Sequence, residues 1–311
     1  MLNRRKFISQ SALAAGALFL GPNMAKAAGW LEEDVKLTIL HTNDVHSRID
    51  PFPMDGGRNQ GLGGVAARAQ LIDQIRRQEE HVLLLDAGDI FQGTPYFNIY
   101  KGEPEIRAMS AMGYDAATIG NHDFDAGLEV LNNQLRRHAT FPMIIANYDF
   151  SGTPMENNYQ PYKVFNRGRL KIGVLGVGIE LKGLVPENLY GTTKYLDPVQ
   201  QANRYAAELK RKGCDLVICL SHLGYKYNDN KISDLVLAKE TENVDLIIGG
   251  HTHTFLDAPV TVKNKKDEDV IINQVGFAGI QLGRMDIVFE KRKGKKLLES
   301  SPIVVSKKSE I

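Results

Sequence analysis

The sequence predicts an α/β fold of two packed mixed β-sheets flanked by helices. Apolar runs of strand length alternate with stretches of helical spacing from Val35 to His253, the pattern of strands joined by helical crossovers. Beyond His253 the pattern turns all-β. Neither an internal repeat nor a linker long enough to mark a second domain interrupts it, so residues 28–311 read as one domain.

Taken in order, a first strand over 36–40 runs into His41-Thr42-Asn43-Asp44-Val45-His46. Residues 51–64 are too rich in Pro and Gly for regular structure. A helix follows over 65–79, with Val65, Ala69, Ile72 and Ile75 on one face. The strand at 81–85 ends in Asp86-Ala87-Gly88-Asp89. After a helix over 104–112, a strand at 116–119 feeds Gly120-Asn121-His122-Asp123-Phe124-Asp125. A helix at 128–137 and a strand at 143–146 come next, then two strands, 162–165 and 170–177, about a turn at Arg167-Gly168. Asp197-Pro198 starts a helix, Asp capping and Pro at the first position; its buried face is Val199, Ala202, Ala206 and Leu209. The strand at 216–220 ends in Ser221-His222. A helix at 231–239 precedes the strand at 245–248, which ends in Gly249-Gly250-His251-Thr252-His253. The all-β remainder reads as strands at 260–262, 270–274, 283–290 and 297–305.

Hydrophobic residues make up 43% of the chain and charged ones 24%, the composition of a soluble protein with a sizeable core. A net charge of +1 argues against a nucleic-acid or membrane-surface binder. Cys214 and Cys219 lie five steps apart on or beside one strand, roughly 16 Å when extended. A disulfide needs about 7 Å, so both read as free thiols. Residues 1–27 carry a basic start (Arg4-Arg5-Lys6), an apolar stretch from Ala12 to Leu20 and Ala25-Lys26-Ala27, the three parts of a secretory signal. The apolar stretch is shorter than the about 20 residues a bilayer span needs, so no stable membrane insertion is expected after cleavage. Asn3-Arg4-Arg5-Lys6-Phe7-Ile8 resembles the twin-arginine export motif, which implies a periplasmic or secreted protein.

The chemistry sits at strand ends. Gly120–Asp125 alone could be a turn, and Asp44, His46, Asp89 or His222 alone could each be structural. Together, Asp44, His46, Asp89, Asn121, His122, His222, His251 and His253 fall at the carboxyl ends of five strands, where open α/β sheets place their ligand crevice. Five of the eight histidines are among them; His41, His81 and His138 read as framework or surface. Carboxylates and imidazoles gathered in a crevice are costly without a cation. The mixture of imidazole, carboxylate and amide suits Zn, Mn, Fe or Co rather than Ca.

Asp44-x-His46, Gly88-Asp89, Gly120-Asn121-His122-Asp123, His222 and Gly250-His251-Thr252-His253, in that order, resemble the calcineurin-like metallophosphoesterase superfamily. His41-Thr42-Asn43-Asp44, Gly88-Asp89-Ile90-Phe91-Gln92-Gly93 and Asn121-His122-Asp123-Phe124-Asp125 are similar to its 5′-nucleotidase and UDP-sugar hydrolase branch. Gln92 stands where the purple acid phosphatases would have Tyr. The resemblance implies a four-layer α/β sandwich holding two divalent metal ions. One would be bound by Asp44, His46 and His253, the other by Asn121, His222 and His251, with Asp89 bridging. Metal-bound hydroxide would attack a phosphomonoester, a nucleotide in this branch. His122, oriented by Asp125, would assist the leaving group, and Asp123 reads as structural. Periplasmic nucleotidases of this branch usually carry a second, C-terminal domain that grips base and sugar, and this chain ends at Ile311, about where it would begin. A separate substrate-binding polypeptide is therefore one expectation, and a site open to small or varied phosphoesters another. The alternatives are a phosphodiesterase, nuclease or nucleotide-sugar hydrolase of the same superfamily. A nuclease would want a basic track, and the run from Lys291 to Lys296 reads as a solvated hairpin tip. A non-enzymatic metal-binding scaffold is disfavoured by the complete ligand set.

Overall fold

The computed structural model describes residues 34–290 and 294–307. The stretch at 1–27 where an export signal is expected and Lys291-Arg292-Lys293 lie outside the described residues. The strands are β1 (Val35–Thr42), β2 (Val82–Asp86), β3 (Ala116–Ala117), β4 (Tyr148–Asp149), β5 (Tyr162–Arg167), β6 (Leu170–Gly178) and β7 (Lys194–Tyr195). They continue as β8 (Leu216–His222), β9 (Leu246–Gly249), β10 (Val260–Lys263), β11 (Asp269–Asn273), β12 (Gln281–Glu290) and β13 (Gly294–Val304). The helices are α1 (Val65–Gln78), α2 (Pro95–Tyr100), α3 (Glu103–Met112), α4 (Leu128–His138), α5 (Glu187–Tyr190), α6 (Pro198–Arg211) and α7 (Asp234–Glu240).

Two large sheets form, ordered β13-β12-β1-β2-β3 and β10-β11-β9-β8-β6-β5, beside the small pair β4-β7. The alternation of side chains along each strand sorts the core into layers. Leu37, Ile39, Leu83 and Leu85 of the first sheet meet Ile172, Val174, Ile218, Leu220 and Ile248 of the second. Leu40 and Leu84 point the other way, onto Leu71, Ile72 and Ile75 of α1, Ile106 and Met109 of α3, and Leu131 of α4. Val217 and Cys219 face Ala202, Ala206 and Leu209 of α6 and Leu237 of α7. Helix, sheet, sheet, helix is the resulting order.

Strands β1, β2 and β3 run parallel, as do β6, β8 and β9. Their carboxyl ends therefore share an edge within each sheet, and the register pairs Thr42 with Asp86, Gly178 with His222, and Ser221 with Gly249. Both cysteines are free and buried. Asp197 caps α6 by accepting from the Gln200 amide at 2.9 Å.

Three local expectations change. The strand expected at 143–146 does not form: the amides of Ile144, Ile145 and Ala146 donate in turn to Ala117, Gln160 and Gly176. Successive donors serve different partners, so the segment ties the two sheets together rather than lengthening either. The strand at 116–119 shortens to two residues, Thr118 already donating its hydroxyl to the Ile144 carbonyl. The helix expected from Lys231 begins at Asp234, because Ser233 caps it through the Val236 amide. Helices α2 and α5 and the pair β4-β7 had no readable periodicity at their length. Among the described residues no helix is long and apolar enough to cross a membrane.

Candidate metal centre

The loops after β1, β2, β3, β8 and β9 meet at the carboxyl edges of the two sheets. Ligand-capable atoms of Asp44, His46 and His253 lie within 4.8 Å of one another, and so do those of Asp89, His222 and His251. Asp89 faces both groups: its Oδ2 is 3.1 Å from His222 Nε2 and 3.8 Å from His46 Nε2. Asp44 Oδ1 is 3.5 Å from His253 Nε2 and 4.0 Å from both His46 Nε2 and His222 Nε2. The Nε2 atoms of His46 and His253 approach to 3.0 Å.

Backbone conformation helps to aim these groups. Asp44, His46, Asp89, His251 and His253 all have positive φ, between 50° and 76°. Each such residue without glycine's freedom costs about 1–2 kcal/mol, and strain of this kind persists where the surroundings over-determine it. Gly120 is required for a different reason: a Cβ there would strike the Asp89 carboxylate and amide.

The rings are oriented from behind. His222 Nδ1 meets the Ala87 carbonyl at 2.7 Å, and His46 Nδ1 meets the Phe91 carbonyl at 3.2 Å. A carbonyl accepts only, so each Nδ1 carries a proton and each Nε2 is the ring atom turned to the centre. His253 stacks on Phe277, ring centroids 5.1 Å apart. The Asn43 amide donates to Asp44 Oδ2 at 2.6 Å and accepts from the Val275 amide at 3.0 Å. Gln274 accepts from the Thr254 amide at 2.6 Å and donates to the Gly250 carbonyl at 2.7 Å.

Asp123 shows why a second carboxylate follows His122. It is buried and accepts from the amides of Gly120 (2.8 Å), Ile90 (2.9 Å), Phe91 (3.1 Å) and Asp89 (3.2 Å). One side chain thus clamps the Asp89 loop to the Asn121-His122 loop. His122 Nδ1 lies 2.9 Å from Asp125 Oδ2, and the His122 amide donates to Asp89 Oδ1 at 2.8 Å.

The electrostatics fit cations. Burial lowers His46, lowers His251 to about 3 and lowers His253 to about 4, all toward the neutral, ligating form. Burial, with the like charge of Asp89 adding to it, pushes Asp44 up to about 8. Burial alone would raise Asp89 and lower His222, but the two charges favour each other: Asp89 and Asp44 push His222 up to about 10, and the His222 charge holds the Asp89 carboxyl below the ordinary range. Asn121 Oδ1 is buried with no hydrogen-bond partner, at a cost of about 1–3 kcal/mol, and buried His222 Nε2 has the Asp89 carboxylate beside it. An orphaned amide oxygen, two buried carboxylates and the imidazoles of His46, His251 and His253, shifted toward their neutral form, suit a pair of divalent metal ions.

Asn43, Gln274 and Phe277 were not singled out by sequence reasoning. Asn43 sits inside the Asp44 motif and could have been suspected; Gln274 and Phe277 carry no local signal.

Comparison with known proteins agrees with this geometry. A model of the calcineurin-like phosphoesterase family matches residues 37–255. A snake venom 5′-nucleotidase of Gloydius brevicauda is 35% identical, the match covering 95% of this chain and 52% of the relative. A 5′-nucleotidase of Vibrio cholerae is 35% identical over 99% of this chain and 59% of its own length. The crystal structure of a 5′-nucleotidase precursor from Thermus thermophilus superposes with a TM-score of 0.79 at 32% identity, covering 87% of this chain and 55% of that one. The chain thus spans between half and three-fifths of the length of these relatives. With its strand-end motifs gathered at one crevice and the matched family model spanning most of its length, the chain belongs to the calcineurin-like phosphoesterase family.

Proposed function

We propose that this chain is a dinuclear-metal phosphomonoesterase of 5′-nucleotidase type. The observation that carries the reading is the position of Asp89 Oδ2 between His222 Nε2 and His46 Nε2, where one carboxylate can serve two ions. Asp44, His46 and His253 would hold the first ion, and Asn121, His222 and His251 the second, with Asp89 shared. When bound, such a pair neutralises phosphate oxygens and makes water a nucleophile near neutral pH.

The remaining work belongs to His122 and Asp125. The hydrogen bond that His122 Nδ1 donates to Asp125, together with the charges of Asp89 and Asp125, raises the His122 pKa against the opposing effect of burial. The ring therefore holds its second proton to higher pH than a free imidazole does. Nδ1 is engaged by Asp125, which leaves the Nε2 proton for the departing alkoxide oxygen, and the ring ends the step neutral. The metal-ligating groups are not asked to move a proton.

A nucleotide substrate is inferred from the names of the relatives. Residues 28–311 would be the catalytic unit, with base and sugar gripped by a separate polypeptide or segment. The signal-like residues 1–27 would take it to the periplasm or outside the cell by the twin-arginine route. The test is hydrolysis by the purified protein with Mn²⁺ or Zn²⁺, on an aryl phosphate and a panel of nucleoside monophosphates. Tight metal binding with no release of phosphate from any of them would overturn the proposal.

A further inference from the structure

A second polar cluster lies behind the metal centre, on the helix side of the first sheet. Arg68 of α1 and Glu105 of α3 are 2% and 3% exposed. Arg68 Nε and Nη1 are buried without a hydrogen-bond partner, and the buried Glu105 carboxylate has the Ser47 hydroxyl beside it and, among the described residues, no cation paired with it. Arg68 and Glu105 line one internal cavity, together with Asp86, Tyr114, Val45 and Ile90. The cavity leaves about 10 Å³ for the centre of a water-sized sphere, room for one water. A guanidinium short of acceptors and a carboxylate short of donors are what a single water can join.

The cluster touches the ligand loops at three places. Val45 and Ile90, which line it, directly follow Asp44 and Asp89. Asp86, also on the wall, accepts from the Thr42 hydroxyl at 2.6 Å and the Gly88 amide at 2.9 Å. Arg68 Nη1 abuts Gly279, where a Cβ would collide with it, and the adjacent Ala278 amide donates to the Asp44 carbonyl at 2.6 Å.

We propose that Arg68 and Glu105, joined by one internal water, are positioning residues that brace the loops of Asp44, His46 and Asp89 from behind. The inference rests on the metal-centre reading above. A buried charge whose partner is removed is strongly unfavourable, whereas removing both charges together is far less so.

The experiment compares Arg68→Met, Glu105→Leu, the double variant and Glu105→Gln, with Zn²⁺ affinity measured by chelator competition on protein shown to be folded by circular dichroism. Each single apolar variant is expected to raise the Zn²⁺ Kd about tenfold or more, Glu105→Gln less, and the double variant to recover most of the loss. Unchanged affinity in the folded single variants, or a double whose loss is the product of the singles, overturns the bracing. If either single variant fails to fold, Glu105→Gln and the double variant carry the same comparison. A crystal structure of the metal-free protein tests the bridge by itself: water density between Arg68 and Glu105 supports it, and an empty cavity or direct contact of the two side chains overturns it. Wild-type protein that binds no Zn²⁺ would sink the proposed function, leaving the crystallographic test of the bridge intact.

Discussion

Replacing His122 by Asn isolates the proposed proton donor from the candidate metal centre. The His122 side chain is 38% exposed and its ring bonds only Asp125 among the site residues, while it is the backbone amide that holds Asp89 Oδ1. The substitution keeps that amide, so metal stoichiometry should stay at the wild-type value and stability should change by about 1 kcal/mol or less. Loss of general-acid assistance is worth about 10²–10⁴-fold, or about 3–5 kcal/mol of barrier. The loss should depend on the leaving group. A nucleoside alkoxide needs the proton and should suffer the full reduction in kcat; a nitrophenolate, a far better leaving group, should suffer at least tenfold less. The pH profile adds a sign. Wild-type rate should fall as pH rises through the elevated His122 pKa, which lies above its ordinary 6.5, and that limb should vanish in the variant. Steady-state kinetics on both substrates, with metal content by elemental analysis, checks all of this. Equal losses on the two substrates, or loss of metal, would refute the assignment.

Asp123→Leu should destabilise strongly, because four amide donors lose their acceptor at about 1–3 kcal/mol for each left unpaired. Urea unfolding of the metal-free protein should register several kcal/mol. His41 is fully buried with its pKa lowered by burial to about 3. Between pH 6.5 and 3 the unfolded chain binds a proton there that the folded chain refuses, so stability falls by about 1.4 kcal/mol per pH unit on acidification. His41→Gln should make the acid dependence of unfolding shallower by one proton across that window. Changing Arg4 and Arg5 together to Lys should block export, with precursor accumulating inside the cell on immunoblotting; full export would reject the twin-arginine route.

Much of the candidate centre was legible because the chain writes it in short contiguous motifs. Asp44 and His46 are two residues apart, as are His251 and His253, and each motif follows an apolar run whose end is easy to place. The fold class was legible for the same reason, since alternating periodicities report layers directly. The 143–146 segment misled because an apolar run of four residues reads the same whether its amides serve one neighbouring strand or three partners.

By itself, then, the sequence determined which donor types stand at which strand ends, and so the family. Only the tertiary structure decided that Asp89 faces both clusters, that Asp123 gathers four amides, that five ligand candidates take left-handed backbone conformations, and that Arg68 and Glu105 share a cavity. Local patterning records the period of an element and the chemistry at its end. The contacts that aim those groups join residues as far apart as Asn43 and Val275, and no stretch of chain encodes a distance across that gap.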